Sequence, residues 1–252
     1  MSRGWAGVTP KRLSELDSTQ FEELCYDLIV FEARDRAIEH RAEGPADKST
    51  RDGGRDILIT ITKHPLEPAV KYCQQHQVPS IIGDVVGDIA YSCKTSSSKR
   101  STWFDLVLRD IEKRDAPRPV EVLLAGGHFK ILISDLSPFD GTRTHNGKPA
   151  KPIVHIVDAL WERMKQIDPA AKRPIEGSDV EILGPHPIAD YLRGRQPTKG
   201  GLAKWLDVFE LRLPLKSLAD WGSLHEQERT APQFAQDAQR TQIAADIKTF
   251  IG

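Results

Sequence analysis

Cysteine is scarce: three residues in 252, at positions 25, 73 and 93, without regular spacing. That excludes a disulfide framework and leads to the expectation of a reducing, cytoplasmic setting. Long apolar runs are missing as well. No stretch approaches the roughly eighteen apolar residues of a membrane span, and Met1-Ser2-Arg3-Gly4-Trp5 has no apolar signal core, so no membrane partner is expected. Nor is there an excess of charge of one sign: 35 Lys and Arg stand against 36 Asp and Glu, a net −1. Overall charge therefore attracts no polyanion, and any nucleic-acid contact has to be a local patch. A G-x-x-x-x-G-K-[ST] segment is absent, which excludes nucleotide binding through a P-loop in these residues.

What is present is enough for a real core, with 39% hydrophobic and 28% charged residues. The most informative stretch runs from Asp52 to Lys94. Two glycines, Gly53 and Gly54, precede Arg55 and Asp56, and Ile57-Leu58-Ile59-Thr60-Ile61-Thr62 then reads as a buried strand leaving a tight turn. A second strand is expected over Asp88–Cys93, ending on Lys94. If the two pair, an acid at the start of one and a lysine at the end of the other meet at one rim. A carboxylate for a divalent cation and a lysine for phosphate charge or water are the minimum for phosphodiester hydrolysis. The same residues also fit ordinary Asp-Gly-Gly turn chemistry and a solvated strand end.

Upstream, Phe21, Leu24, Cys25, Leu28 and Ile29 recur at helical spacing behind Asp17-Ser18-Thr19. At about 100° per residue, Glu22 falls on the flank of the apolar face, whereas Glu23 and Asp27 point to the solvated side. Glu22 thus faces a sheet or, in a Thr19–Glu22 capping box, its own helix start.

The rest gives mainly organisation. Arg34 to Arg51 reads as a short strand or loop, and Glu67–Gln77 as a short helix. Cys73 and His76 have C-x-x-H spacing, but nothing nearby completes four zinc ligands. Thr95 to Trp103, with Lys99 and Arg100 among hydroxyls, suits a phosphate-contacting loop or a flexible serine-rich one. A helix is expected from Trp103 to Ile111, strands over Val120–Leu124 and Phe129–Ser134, and a loop from Pro138 to Pro152. Ile153–Val157 reads as strand, with His155 packed in it, and Asp158–Ile167 as helix. Beyond Pro169, prolines interrupt short apolar segments, and Pro232–Ile251 reads as a long helix.

Helix-borne Glu22, Gly54-x-Asp56 opening a strand and Cys93-Lys94 closing the next resemble, over about Leu13–Ile133, the PD-(D/E)XK nuclease superfamily. The look is nearest to its Mrr-like restriction endonuclease branch and to nuclease modules of bacterial anti-phage effectors. The resemblance implies an α/β fold with a restriction-endonuclease-like central mixed sheet flanked by helices and a mainly helical C-terminal region. It implies a nuclease domain over 1–165 and a helical connector over 166–252, of the kind that leads to the NTPase of STAND defence proteins. It implies Mg²⁺- or Mn²⁺-dependent cleavage of DNA, with double-stranded DNA and low sequence specificity expected. Homo-oligomeric assembly or association with a STAND NTPase module, and a role in antiviral defence, come with it. Asp56, Lys94 and Glu22 match the catalytic positions. Asp56, Glu22 and the main-chain carbonyl of Cys93 match the metal ligands, and Arg55, Lys99 and Arg100 would contact DNA. One departure stands out: an acid or glutamine is expected at position 92, where this chain has Ser92. The site then recruits Glu22 or Asp52, binds metal weakly, or is an inactive nuclease fold serving in nucleic-acid binding or assembly. A protein-interaction adaptor is the reading without any nuclease.

Overall fold

A threonine opens the first regular helix. In this computed structural model, which describes residues 4–44, 57–63, 80–95, 102–112, 118–136, 141–145, 147–195 and 201–209, the Thr9 hydroxyl accepts from the Arg12 amide at 3.3 Å. Pro10 then starts the short helix α1 (Pro10–Ser14). Asp17 caps α2 (Ser18–Asp35): its carboxylate accepts from the Gln20 amide at 2.8 Å, and the Gln20 side chain accepts from the Asp17 amide at 3.2 Å. The capping box is thus built by Asp17 and Gln20 rather than by Thr19 and Glu22, and the cap makes no demand on Glu22. Phe21, Leu24, Cys25, Leu28 and Ile29 are all buried, as their spacing implies.

Past the end of α2, exposed Ala37 adopts φ 51° while the Ile38 amide bonds the Ala33 carbonyl at 2.7 Å. A side chain in that left-handed conformation crowds its own carbonyl, and glycine removes the crowding. Ala37→Gly is therefore expected to stabilise the protein by about 1 kcal/mol, read as a raised midpoint of denaturant unfolding. An unchanged or lowered midpoint would contradict the strain argument.

The chain continues through β1 (Glu39–Glu43), β2 (Ile57–Lys63), β3 (Gly87–Lys94), α3 (Trp103–Glu112), α4 (Arg118–Leu124) and β4 (His128–Ile133). It then forms the hairpin β5 (Arg143–His145) and β6 (Lys148–Ala150), followed by α5 (Pro152–Ile167), β7 (Val180–Leu183), α6 (Pro185–Arg195) and α7 (Trp205–Val208). Five strands make one sheet in the order β1-β2-β3-β4-β7. The β1–β2 and β2–β3 pairs are antiparallel; β3–β4 and β4–β7 are parallel. The mixed α/β sheet flanked by helices is as expected.

Alternation along the strands divides the core into two layers. Ile57, Ile59, Ile61, Ile89, Tyr91 and Cys93 face α2 and, beyond it, Trp5, Leu192 and Trp205. Ala90, Phe129, Ile131 and Ile133 face the other way, against Trp103, Val107, Ile111, Ile156 and Leu160 of α3 and α5.

Several sequence expectations need correcting. Val120–Leu124 is helical, as part of α4, because Pro119 sits at a helix start and its neighbours Val120, Val122 and Leu123 bury together. Ile153–Val157 is also helix: Pro152 occupies the first turn of α5, and Ile156, Leu160 and Met164 carry its apolar stripe on. His155 is accordingly a buried helix residue, not a strand residue. The loop expected over Pro138–Pro152 contains the β5–β6 hairpin. The boundary expected between 165 and 166 falls inside a compact unit that runs to Arg212, since β7 completes the sheet and Leu183, Ile188, Tyr191 and Trp205 join the α2-side core. The expected helices at Glu67–Gln77 and Pro232–Ile251, and the Cys73/His76 pair, lie outside the described residues.

Candidate functional site

Antiparallel pairing puts the start of β2 and the end of β3 at the same edge of the sheet, with Ile57 opposite Tyr91. Lys94 ends β3 there, and the parallel strand β4 ends beside it, with Ile133 opposite Lys94 and the Ser134 amide bonding the Lys94 carbonyl at 3.1 Å. Asp56, Arg55, Asp52, Lys99 and Arg100 lie outside the described residues; in the sequence Asp56 immediately precedes Ile57.

The Lys94 ammonium lies 3.1 Å from the Asp110 carboxylate, and the two side chains are only 11% and 15% exposed. Asp110 was not among the residues the sequence singled out. Its position follows from how α3 begins. Thr102 and Asp105 form a reciprocal cap: the Thr102 amide and hydroxyl donate to Asp105 at 2.9 and 2.8 Å, and the Asp105 amide donates to the Thr102 hydroxyl at 3.4 Å. Burial alone would raise the Asp105 carboxyl pKa, but these bonds from Thr102 and the fields of Arg143 and His145 outweigh it and hold the pKa below its ordinary value. With the start fixed at Trp103, the stripe Trp103, Val107, Asp110 faces the sheet, and its last member meets Lys94.

Ser92 shares this face of β3 with Lys94, by alternation from Ala90. Its hydroxyl is buried and has no hydrogen-bond partner. Cys93 points its thiol to the opposite, α2-side core. Glu22, half-buried in the first turns of α2, belongs to that opposite layer. The orientation of α2 brings it toward the same rim. Near the far end of the helix, Glu32 accepts from the Ile81 and Ile82 amides at 2.8 and 3.4 Å, just ahead of β3. α2 therefore runs against the direction of β3, and Glu22 lies about 15 Å back from Glu32 toward the Lys94 end. Lys94, Asp110 and Glu22 thus converge on one rim, Asp110 and Glu22 from opposite layers.

Comparison with protein-family models, curated proteins and solved structures gives no match. The site has to be read from its own chemistry. Among the described residues no three His, Cys, Asp or Glu side chains group closely enough to hold a metal ion. The oxygen donors at the rim are the carboxylates of Asp110 and Glu22 and the buried, unsatisfied hydroxyl of Ser92.

The sequence also missed a second polar group, under the other end of α2. Glu32 is fully buried, pairs with Arg36 at 2.9 Å and accepts from the Ser80 hydroxyl. Arg36 in turn donates to the Gly83 carbonyl at 2.8 Å and to Asp84 at 2.6 Å. Across the sheet, Lys130 pairs with Glu181 at 2.9 Å. Between them Tyr91 donates to the Ile81 carbonyl at 3.3 Å, its pKa raised well above the ordinary value by burial first and by Glu32 and Glu181 second. These groups anchor the segment that leads into β3. Asp27, expected to face solvent, instead accepts from the Trp205 indole at 2.8 Å and pairs with Lys204 at 3.0 Å.

Proposed function

We propose that this chain is a metal-dependent phosphodiesterase that cleaves DNA endonucleolytically. Double-stranded DNA with little sequence preference is the substrate. The observation that carries the reading is a largely buried lysine, Lys94, held beside a carboxylate where β2 begins and β3 ends. Its support in the sequence is Asp56, directly ahead of β2, and Glu22 on the helix that runs back to this rim. Hard oxygen donors of this kind suit Mg²⁺ or Mn²⁺. Asp56, Glu22 and the Cys93 carbonyl would hold the ion, which when bound would offset phosphate charge and favour ionisation of water.

Hydrolysis joins the oxygen of a water molecule to phosphorus while the bond from phosphorus to one sugar oxygen breaks. The water gives up a proton, and the departing oxygen takes one up. Lys94 donates hydrogen bonds either to a non-bridging phosphate oxygen, where charge grows in the transition state, or to the attacking water, which it orients. Arg55, Lys99 and Arg100 contact the sugar–phosphate backbone, so binding weakens steeply with salt and reads little sequence. Action as a bacterial anti-phage effector, through homo-oligomers or a STAND NTPase module, belongs to the same proposal. No helix among the described residues is long and apolar enough to cross a membrane.

Ser92 favours a second reading, in which the fold binds nucleic acid without turnover. Supercoiled plasmid incubated with concentrated protein and Mg²⁺ or Mn²⁺ separates the two. Wild type is expected to nick and linearise the plasmid, whereas Asp56→Ala leaves it supercoiled. Binding without cleavage under either metal selects the inactive fold. Neither binding nor cleavage at low salt removes both and leaves a protein-interaction adaptor.

A further inference from the structure

We infer that Asp110 supplies the metal-holding carboxylate that β3 lacks at position 92; this rests on the phosphodiesterase reading above. Ser92 lies on the α3 side of β3, buried, with its hydroxyl unpartnered. A neutral hydroxyl is a poor ligand for a divalent cation beside a carboxylate, so this strand by itself leaves the site one negative charge short. Asp110 comes from α3 onto the same face and reaches Lys94 at 3.1 Å. The acid has moved from the strand to the helix that covers it, and its position in space is kept.

Charge balance supports the same assignment. A lysine and a carboxylate that are both nearly out of water gain from each other what each loses in hydration. In the structure without metal, Asp110 neutralises Lys94. A cation entering between Asp110, Glu22 and Asp56 takes over part of that carboxylate, and frees the ammonium to turn toward phosphate. Asp110 thereby holds the metal and also determines when Lys94 becomes available. An ordinary structural ion pair has neither property.

The test uses Mn²⁺ alone, followed by titration calorimetry on the whole chain without DNA. Asp110→Asn leaves Lys94 unpaired and risks unfolding. The decisive comparison is therefore Lys94→Met against the double variant Lys94→Met/Asp110→Asn, which replaces the ion pair by two uncharged groups. Lys94→Met should bind Mn²⁺ at least as tightly as wild type, because a neighbouring cation is gone. The double variant should bind at least about tenfold more weakly. Adding Ser92→Asp to Asp110→Asn should recover Mn²⁺ affinity and part of the plasmid cleavage, by returning the carboxylate to the strand. Equal Mn²⁺ affinity in Lys94→Met and the double variant would overturn the inference even with the enzyme reading intact, provided Asp56→Ala abolishes cleavage. Loss of Mn²⁺ binding from no variant, Asp56→Ala included, would overturn the inference and the metal-dependent reading together.

Discussion

Glu32→Ala is expected to destabilise the protein by about 3–5 kcal/mol, the range for removing one partner of a buried ion pair. The Glu32 carboxylate has no exposure to water and serves the Ile81 and Ile82 amides, the Ser80 hydroxyl and the Arg36 guanidinium. Alanine leaves the two amides short of an acceptor and a cation uncompensated beneath α2. For a unit of this size, the loss lowers the thermal midpoint by roughly 10 °C. Asp84→Ala is the control. Asp84 meets the same guanidinium at 2.6 Å, but its own side chain is 75% exposed. Water replaces much of what it gives, and its removal should cost less than about 1 kcal/mol. Equal losses in the two variants would mean that the network is not organised around Glu32.

Lys94→Ala is expected to lower the rate of plasmid cleavage by about 10²–10³-fold, the usual loss when one donor to developing charge is removed. Binding of a duplex oligonucleotide, measured without metal, should fall only a few-fold, because one cation among several backbone contacts is lost. The effect thus belongs in kcat and not in affinity. Stability should fall less than for Glu32→Ala, since Lys94 and Asp110 both keep some access to water at 11% and 15% exposure. Cleavage within a few-fold of wild type would take Lys94 out of the mechanism.

The central elements were legible because their patterns are unambiguous. α2 and α3 carry long stripes at helical spacing, and β2 is β-branched behind two glycines. Val120–Leu124 and Ile153–Val157 were misread because a short run of β-branched and aliphatic residues has no period of its own; the prolines at 119 and 152 were the better guide. β7 went unseen because four residues among prolines carry too little pattern to register as a strand. Two functional acids were missed for one shared reason. Glu32 extends the stripe Phe21, Cys25, Leu28, and Asp110 extends Trp103, Val107. A carboxylate in line with buried residues signals a partner that comes from elsewhere in the chain. The partners, the Ile81 and Ile82 amides and Lys94, are set by long-range packing, which local spacing does not encode.

The two extremities of this unit are tied together. Arg12 donates to the Phe209 carbonyl, Arg193 reaches the Val8 carbonyl at 3.5 Å, and Trp205 closes on α2 through Asp27. A chain leaving the ribosome therefore cannot finish its first helix-covered layer when that layer has been made. At roughly 5–20 residues per second, α2 waits several seconds after α5 has emerged for Leu192, Leu202 and Trp205 to cover it. During synthesis this apolar flank is the surface a holding chaperone would meet, and premature termination within that interval yields a sticky fragment in place of a smaller folded protein.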